Sequence, residues 1–191
     1  MNLKLSVSRL LVVLAALTSA GAALAQQKLV PAQSEIVFVS KQMGVPVEGR
    51  FTKVEAHISF HPAKPEGSQI AFTVDTGSAT LGVPETDAEL PKATWFNVPK
   101  FPQATFQSSS VKGLGGGKFE VAGKLSIKGL SRDVVVPVTL TQSGAITTAS
   151  GAFALKRLAY KIGENEWSDT SMVADDVQVK FKLALTGVGK L

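Results

Sequence analysis

The chain has 191 residues, 45% hydrophobic and 18% charged, which suits one globular domain and argues against disorder. It contains no cysteine, which excludes disulfides, thiolate-bound zinc, iron–sulfur clusters, thiol catalysis and a lipidated N-terminal cysteine. Two histidines exclude a histidine-rich metal site, and a net charge of +5 dispersed along the chain gives no nucleic-acid footprint.

Met1 to Arg9 carries Lys4 and Arg9 and no acid, and Leu10 to Leu17 is a short apolar run. Ala23-Leu24-Ala25 then places small residues where a signal peptidase needs them. This three-part pattern predicts a signal peptide over residues 1–25, export, and a periplasmic mature protein over residues 26–191. The uncharged stretch Leu10–Ala25 spans 16 residues, short of the roughly 20 that a bilayer-crossing helix requires. Removing Lys4 and Arg9 lowers the charge from +5 to +3. A basic surface of that size is compatible with transient contact with anionic membranes.

From Ser34 onward the dominant signal is period-two alternation. Ser34 to Ser40 sets Ile36 and Phe38 on one face. Arg50 to Phe60 sets Val54, Ala56, Ile58 and Phe60 against Lys53, Glu55, His57 and Ser59. Gln69 to Thr76 alternates Ile70, Phe72 and Val74 with polar neighbours, and Ala104 to Val111 follows. Lys118 to Lys128 is the clearest, with Phe119, Val121, Gly123, Leu125 and Ile127 on one side. Arg132 to Thr141, Ala145 to Arg157 and Asp176 to Thr186 complete eight expected strands, the last with Val177, Val179, Phe181, Leu183 and Leu185 inward. Gly113 to Gly117, Lys128-Gly129 and Ser143-Gly144 supply turns. Pro84 to Phe96 reads as a short helix or irregular flap, interrupted at Pro91. There is no repeat, low-complexity tract or linker, so the body is one domain.

Eight antiparallel strands with one apolar face form either a closed barrel or a two-sheet sandwich. Phe38, Phe60, Phe72, Phe106, Phe119, Phe153 and Phe181 recur on the inner face. They describe an aromatic core or the lining of a cavity, and periodicity alone does not separate the two.

No constellation for catalysis emerges, and the chain reads as a non-enzyme. Gly113-Leu114-Gly115-Gly116-Gly117-Lys118 lacks the leading glycine and trailing hydroxyl of a phosphate loop. Ser109-Ser110-Val111-Lys112 matches S-x-x-K, but three residues of strand put Ser109 and Lys112 on opposite faces. His57 lies on a polar face, His61 precedes a proline, and neither has a nucleophile beside it. The acidic residues Glu164, Glu166, Asp169, Asp175 and Asp176 fit no EF-hand spacing and read as a solvated loop.

Three pieces of sequence, in order, carry a resemblance. They are Gly49-Arg50-Phe51; then Trp95-Phe96-Asn97-Val98 followed by Phe101-Pro102-x-Ala104-Thr105-Phe106-x-Ser108; then Gly123-x-Leu125-Ser126-Ile127-x-Gly129-Leu130-Ser131-Arg132-x-Val134. Together they resemble the YceI-like family of exported lipid-binding proteins, over about Ser34 to Thr186. The resemblance implies a lipocalin-like antiparallel barrel and no catalysis. It also implies an elongated apolar cavity for an isoprenoid lipid, such as a ubiquinone-type quinone or a polyprenyl chain, and no other cofactor. Lining by Phe38, Phe60, Phe72, Trp95, Phe96, Phe106, Phe119, Phe153 and Phe181 is expected, with Trp95 either touching ligand or plugging the barrel end. Two stretches depart from the usual pattern: Lys41-Gln42-Met43-Gly44, where a histidine commonly precedes the glycine, and Lys156 to Tyr160 running into Gly163 to Asp169. Both are expected near the barrel mouth. The competing reading is a structural or stress-response periplasmic protein whose barrel is filled by its own side chains. Neither reading sets the oligomeric state.

Overall fold

The structure, a computed structural model, describes residues 27–191; the expected signal peptide lies outside the described residues. Among the described residues, eleven strands form one antiparallel sheet that curls around an apolar interior. They are β1 (Lys28–Leu29), β2 (Glu35–Gln42), β3 (Val45–Phe51), β4 (Val54–Ser59), β5 (Gln69–Asp75), β6 (Ala79–Thr80), β7 (Gln103–Gly115), β8 (Lys118–Ile127), β9 (Leu130–Ser143), β10 (Ile146–Lys156) and β11 (Asp176–Thr186). Their order in the sheet is β4-β5-β7-β8-β9-β10-β11-β2-β3-β6, with β1 added on β11. The expectation of eight strands is thus corrected to eleven. Two of the additional strands, β1 and β6, have only two residues each, too few to show alternation.

The third correction has a geometric origin. Arg50 to Phe60 reads as one strand but is divided at Thr52-Lys53 into β3 and β4. Opposite, β5 passes into β6 across Thr76–Ser78, and Phe51 pairs with Ala79 while Val54 pairs with Val74. The two edges of the sheet are therefore the two halves of one sharply bent ribbon. Ser78 holds the bend: its Oγ accepts from the N–H groups of Thr52 (3.2 Å) and Lys53 (3.1 Å) and donates to the Asp75 carbonyl (2.7 Å). The bend also shifts the phase, so Phe51 and Ile58 both line the interior although they are seven residues apart.

The predicted flap holds one helical turn, α1 (Pro84–Asp87), with proline at its first position, where no N–H is needed. Asp87 anchors it by accepting from Thr80 Oγ1 (2.5 Å) and the Leu81 N–H (2.6 Å). These bonds, Thr80 first, hold its carboxyl below the ordinary carboxylate pKa. Beyond it, turns deliver Leu90 and Phe96 into the interior, where each is buried.

The buried residues form two clusters. One surrounds Phe60, Val111, Phe119, Val121, Leu140 and Leu183; the other surrounds Leu90, Phe96, Ala104, Ile127, Tyr160 and Ile162. Val111 joins the first only because a bulge at Ser108–Ser110 shifts the phase of β7; Ser109 and Lys112 both remain exposed.

Three inward-facing strand glycines each lie under an aromatic ring. A Cβ on Gly49 would stand 2.3 Å from the Phe38 ring, one on Gly123 2.5 Å from Phe106, and one on Gly151 2.6 Å from Phe181. The rings therefore lie along the wall where side chains are missing. At Gly151 the Pro137 carbonyl oxygen is also only 2.2 Å from that point, and backbone cannot rotate away as a ring can. Gly151→Ala is expected to destabilise by about 1–3 kcal/mol or more through overpacking. Urea denaturation checks it, and an unchanged midpoint would show that β9 and β10 part freely.

Candidate ligand-binding site

The alternation that buries one face of every strand ought to produce a filled interior, yet many inward side chains are only half-buried. Phe72, Phe106, Val138, Phe153, Val179 and Phe181 all belong to this group. The space they face is a cavity of about 190 Å³ that draws its walls from both clusters. Phe119 and Ile127, eight residues apart on β8, both line it, which corresponds to about 27 Å along the strand. The cavity is elongated.

Its chemistry is uniform. Apart from Thr105 and Thr147, every lining residue is apolar, and Thr147 Oγ1 accepts from Gln142 Nε2 at 3.1 Å. No charged side chain lines it. A void of about 150 Å³ with a Leu/Ile/Phe lining stays dry and takes apolar guests, so this one favours an uncharged hydrocarbon over water. An ionised headgroup placed inside would find no counter-charge.

Of the nine aromatic residues expected to line the interior, Phe60, Phe72, Phe96, Phe106, Phe119, Phe153 and Phe181 do so. Phe38 and Trp95 are outside the lining. Phe38 lies over Gly49 with its ring 5.3 Å from that of Phe51, and Phe51 occupies the wall in its place. Sequence reasoning missed Phe51 because the bend reverses the phase of alternation there. Trp95 packs against Trp167, the ring planes tilted by 47° and the centroids 5.6 Å apart. Its Nε1 is buried with no hydrogen-bond partner among the described residues, and the same is true of Ser40 Oγ. Such atoms forfeit about 1–3 kcal/mol each when left unpaired.

One end of the sheet is covered by two long connections, residues 81–102 and 157–175, which two buried cations tie down. Arg157, 2% exposed, uses all five of its N–H groups on backbone carbonyls. Nε donates to Ala174 O (3.1 Å), one terminal nitrogen to Ile162 O and Gly163 O (both 2.9 Å), and the other to Trp167 O and Val173 O (both 2.6 Å). Burial pulls its pKa down, partly offset by the nearby Asp175 carboxylate. Lys128, at the tip of the β8–β9 hairpin with φ 50°, donates to Ala93 O (2.8 Å), Lys161 O (2.6 Å) and Glu164 Oε2 (2.9 Å). Its three N–H groups are likewise fully used. Composition gives no warning of either, since both residue types are ordinarily exposed.

Four of the five acidic residues of this region are engaged locally. Glu164 meets Lys128, Asp169 accepts from Ser171, Asp175 accepts from the Leu158 N–H, and Asp176 pairs with Lys156. No group of three or more metal-ligating side chains forms among the described residues. His57 is exposed, His61 Nε2 lies 3.4 Å from Ser59 Oγ, and neither histidine is part of the cavity lining.

The family model described as YceI-like domain matches residues 27–185. The chain belongs to the YceI-like family. Among solved structures, Burkholderia cenocepacia BcnA is 44% identical, with 82% of this chain and 98% of that one covered and a TM-score of 0.79. A protein from Saccharophagus degradans, described as a polyisoprenoid binding domain implicated in plant cell wall breakdown, is 17% identical. It shares the fold at a TM-score of 0.67, covering 84% of this chain and 98% of its own. The Azotobacter vinelandii relative named UPF0312 protein is 32% identical over 133 residues, 68% of this chain and 69% of that protein. As a YceI-like protein the chain has the all-β antiparallel architecture that the resemblance implied, but as a curled eleven-stranded sheet with two edges in place of the expected eight-stranded barrel.

Proposed function

We propose that this YceI-like protein is an exported periplasmic carrier that sequesters an isoprenoid lipid, a quinone-type or polyprenyl chain, inside the curled sheet. The observation that carries this reading is the elongated cavity with an uncharged, almost wholly apolar lining. Each methylene moved there from water contributes about 0.8 kcal/mol, so a long neutral chain is held without a charged anchor. A fatty acid would bring a carboxylate for which the lining offers no partner. The polyisoprenoid-binding description of the Saccharophagus degradans protein supports the same ligand class. Binding, with no chemical step, is the activity this arrangement suits.

Native mass spectrometry of the protein taken from the periplasm tests the proposal in one experiment. The expected result is a mature N-terminus at Gln26 and a dissociable adduct whose mass fits a prenylated lipid. Protein that keeps Met1 overturns cleavage after Ala25, and protein found only in the cytoplasm overturns export; lipid-free protein that also fails to take up a prenyl chain in vitro overturns carriage.

A further inference from the structure

We propose that a polar cleft between the two connections over the end of the sheet is a phosphate-binding site. The cleft, about 420 Å³ in volume, shares no lining residue with the apolar cavity, so its ligand is distinct from the lipid held there. The first connection supplies Asn97 and Lys100, the second Lys161, Glu164 and Asn165, and the β8–β9 hairpin Lys128. Three lysines against one carboxylate leave the lining with two positive charges in excess. Its backbone is also unusual. Of the five non-glycine residues with positive φ among the described residues, four line this cleft: Asn97 (52°), Lys128 (50°), Lys161 (56°) and Asn165 (58°). Asparagine tolerates the left-handed region, whereas a lysine Cβ crowds the following carbonyl oxygen there. Backbone strained in this way persists only where its surroundings fix it, and it gathers at ligand clamps. Lys128 is fixed by its bonds to Ala93 O, Lys161 O and Glu164 Oε2, which also hold the two connections on either side of the cleft.

The charges divide into a spent pair and two free cations. Glu164 is taken up by Lys128, whose side chain is 5% exposed and has no N–H left to donate, so Lys128 contributes only its charge. Lys100 and Lys161 are exposed, and neither has a carboxylate within 4.0 Å among the described residues. Each ammonium has three donors, and the amides of Asn97 and Asn165 add neutral ones. A phosphate group brings about −1.5 to −2 charges and three strong acceptor oxygens, where a carboxylate brings one charge and two oxygens. The lining therefore matches the phosphate. Since Lys100 and Lys161 belong to different connections, the bound group bridges them.

The test titrates the full mature chain with inorganic phosphate at constant ionic strength and follows the backbone and side-chain amide signals by NMR. Saturable shifts centred on Asn97, Lys100, Lys161 and Asn165 are expected. Lys100→Gln and Lys161→Gln each change one exposed side chain and are expected to weaken binding about 3- to 10-fold. Lys118→Gln, an exposed lysine at the other end of β8, should leave it within about twofold. Co-sedimentation with phosphatidylglycerol and with phosphatidylcholine vesicles identifies where the phosphate comes from. Retention on phosphatidylglycerol alone, weakened by the two cleft substitutions and competed by inorganic phosphate, supports the site with a lipid surface as its source. Binding of inorganic phosphate without retention on vesicles supports it with a soluble source. Equal losses in all three variants, or shifts spread over the basic surface, would assign the effect to diffuse charge and overturn the site. Absence of both saturation by phosphate and cleft-dependent retention on vesicles would overturn it too, and neither result bears on carriage of lipid in the separate cavity.

Discussion

Arg157→Met is expected to destabilise the protein by on the order of 5 kcal/mol, as five carbonyls lose a charged donor at about 1 kcal/mol or more each. For a domain of this size that lowers the thermal midpoint by about 10–20 °C. The methionine fills similar space but donates nothing, so Ala174, Ile162, Gly163, Trp167 and Val173 must turn their carbonyls to water or remain unpaired. Arg157→Lys keeps the charge but has three donors on a single nitrogen, and is expected to fall between the two. Thermal denaturation of the delipidated protein followed by circular dichroism checks this. A loss under about 3 °C would mean that solvent replaces the guanidinium freely and that the connection is not held by it.

Phe153→Asp is expected to abolish uptake of an isoprenoid chain, whereas Phe153→Ala retains it. Phe153 faces the cavity and is only half-buried, so truncation forfeits fewer contacts than the about 3–5 kcal/mol of a fully packed phenylalanine. Phe119, buried and edge-on to Phe60 at 5.1 Å, is the packed comparator, and Phe119→Ala is expected to cost that full amount. The aspartate places a carboxylate in a lining without a counter-charge, where burial raises its pKa and hydrocarbon no longer displaces water cheaply. Because the harm comes from the ionised form, uptake by Phe153→Asp should recover in part as pH falls below that raised pKa. Lipid transfer from labelled vesicles reads all three variants. Undiminished uptake by Phe153→Asp at neutral pH would show that lipid does not pass this ring.

The strands and their inward faces were legible because alternation reports which side of a sheet a residue occupies. On β8 every expected inward position, Phe119 through Ile127, is inward in the structure. Alternation carries no information about the distance across the interior, so the cavity itself was not legible. It also fails where phase changes, which is why β3 was overlooked and Phe51 with it. The local motif with Lys128-Gly129 identified a turn correctly. That the lysine would fold back and cross-link two connections depends on residues 33 to 36 positions away in sequence, beyond the reach of any local pattern. The acidic loop read as solvated is instead partly a set of fixed acceptors, since Glu164 and Asp175 serve Lys128 and the Leu158 N–H.

Two of the three glycine–phenylalanine pairs make the calibre of the lumen a property of the wall and not of the rings that cover it. Phe106 and Phe181, which line the cavity, have room to recline because Gly123 and Gly151 lack a Cβ, whereas Phe38 over Gly49 stands outside the lining. A methyl at Gly123 or Gly151 would press on both the ring and a neighbouring backbone carbonyl, crowding the bore and straining the sheet together. Within this architecture, then, two backbone positions act as gauges along the passage. The girth of chain that a related sequence admits at each level should be readable from whether glycine stands there.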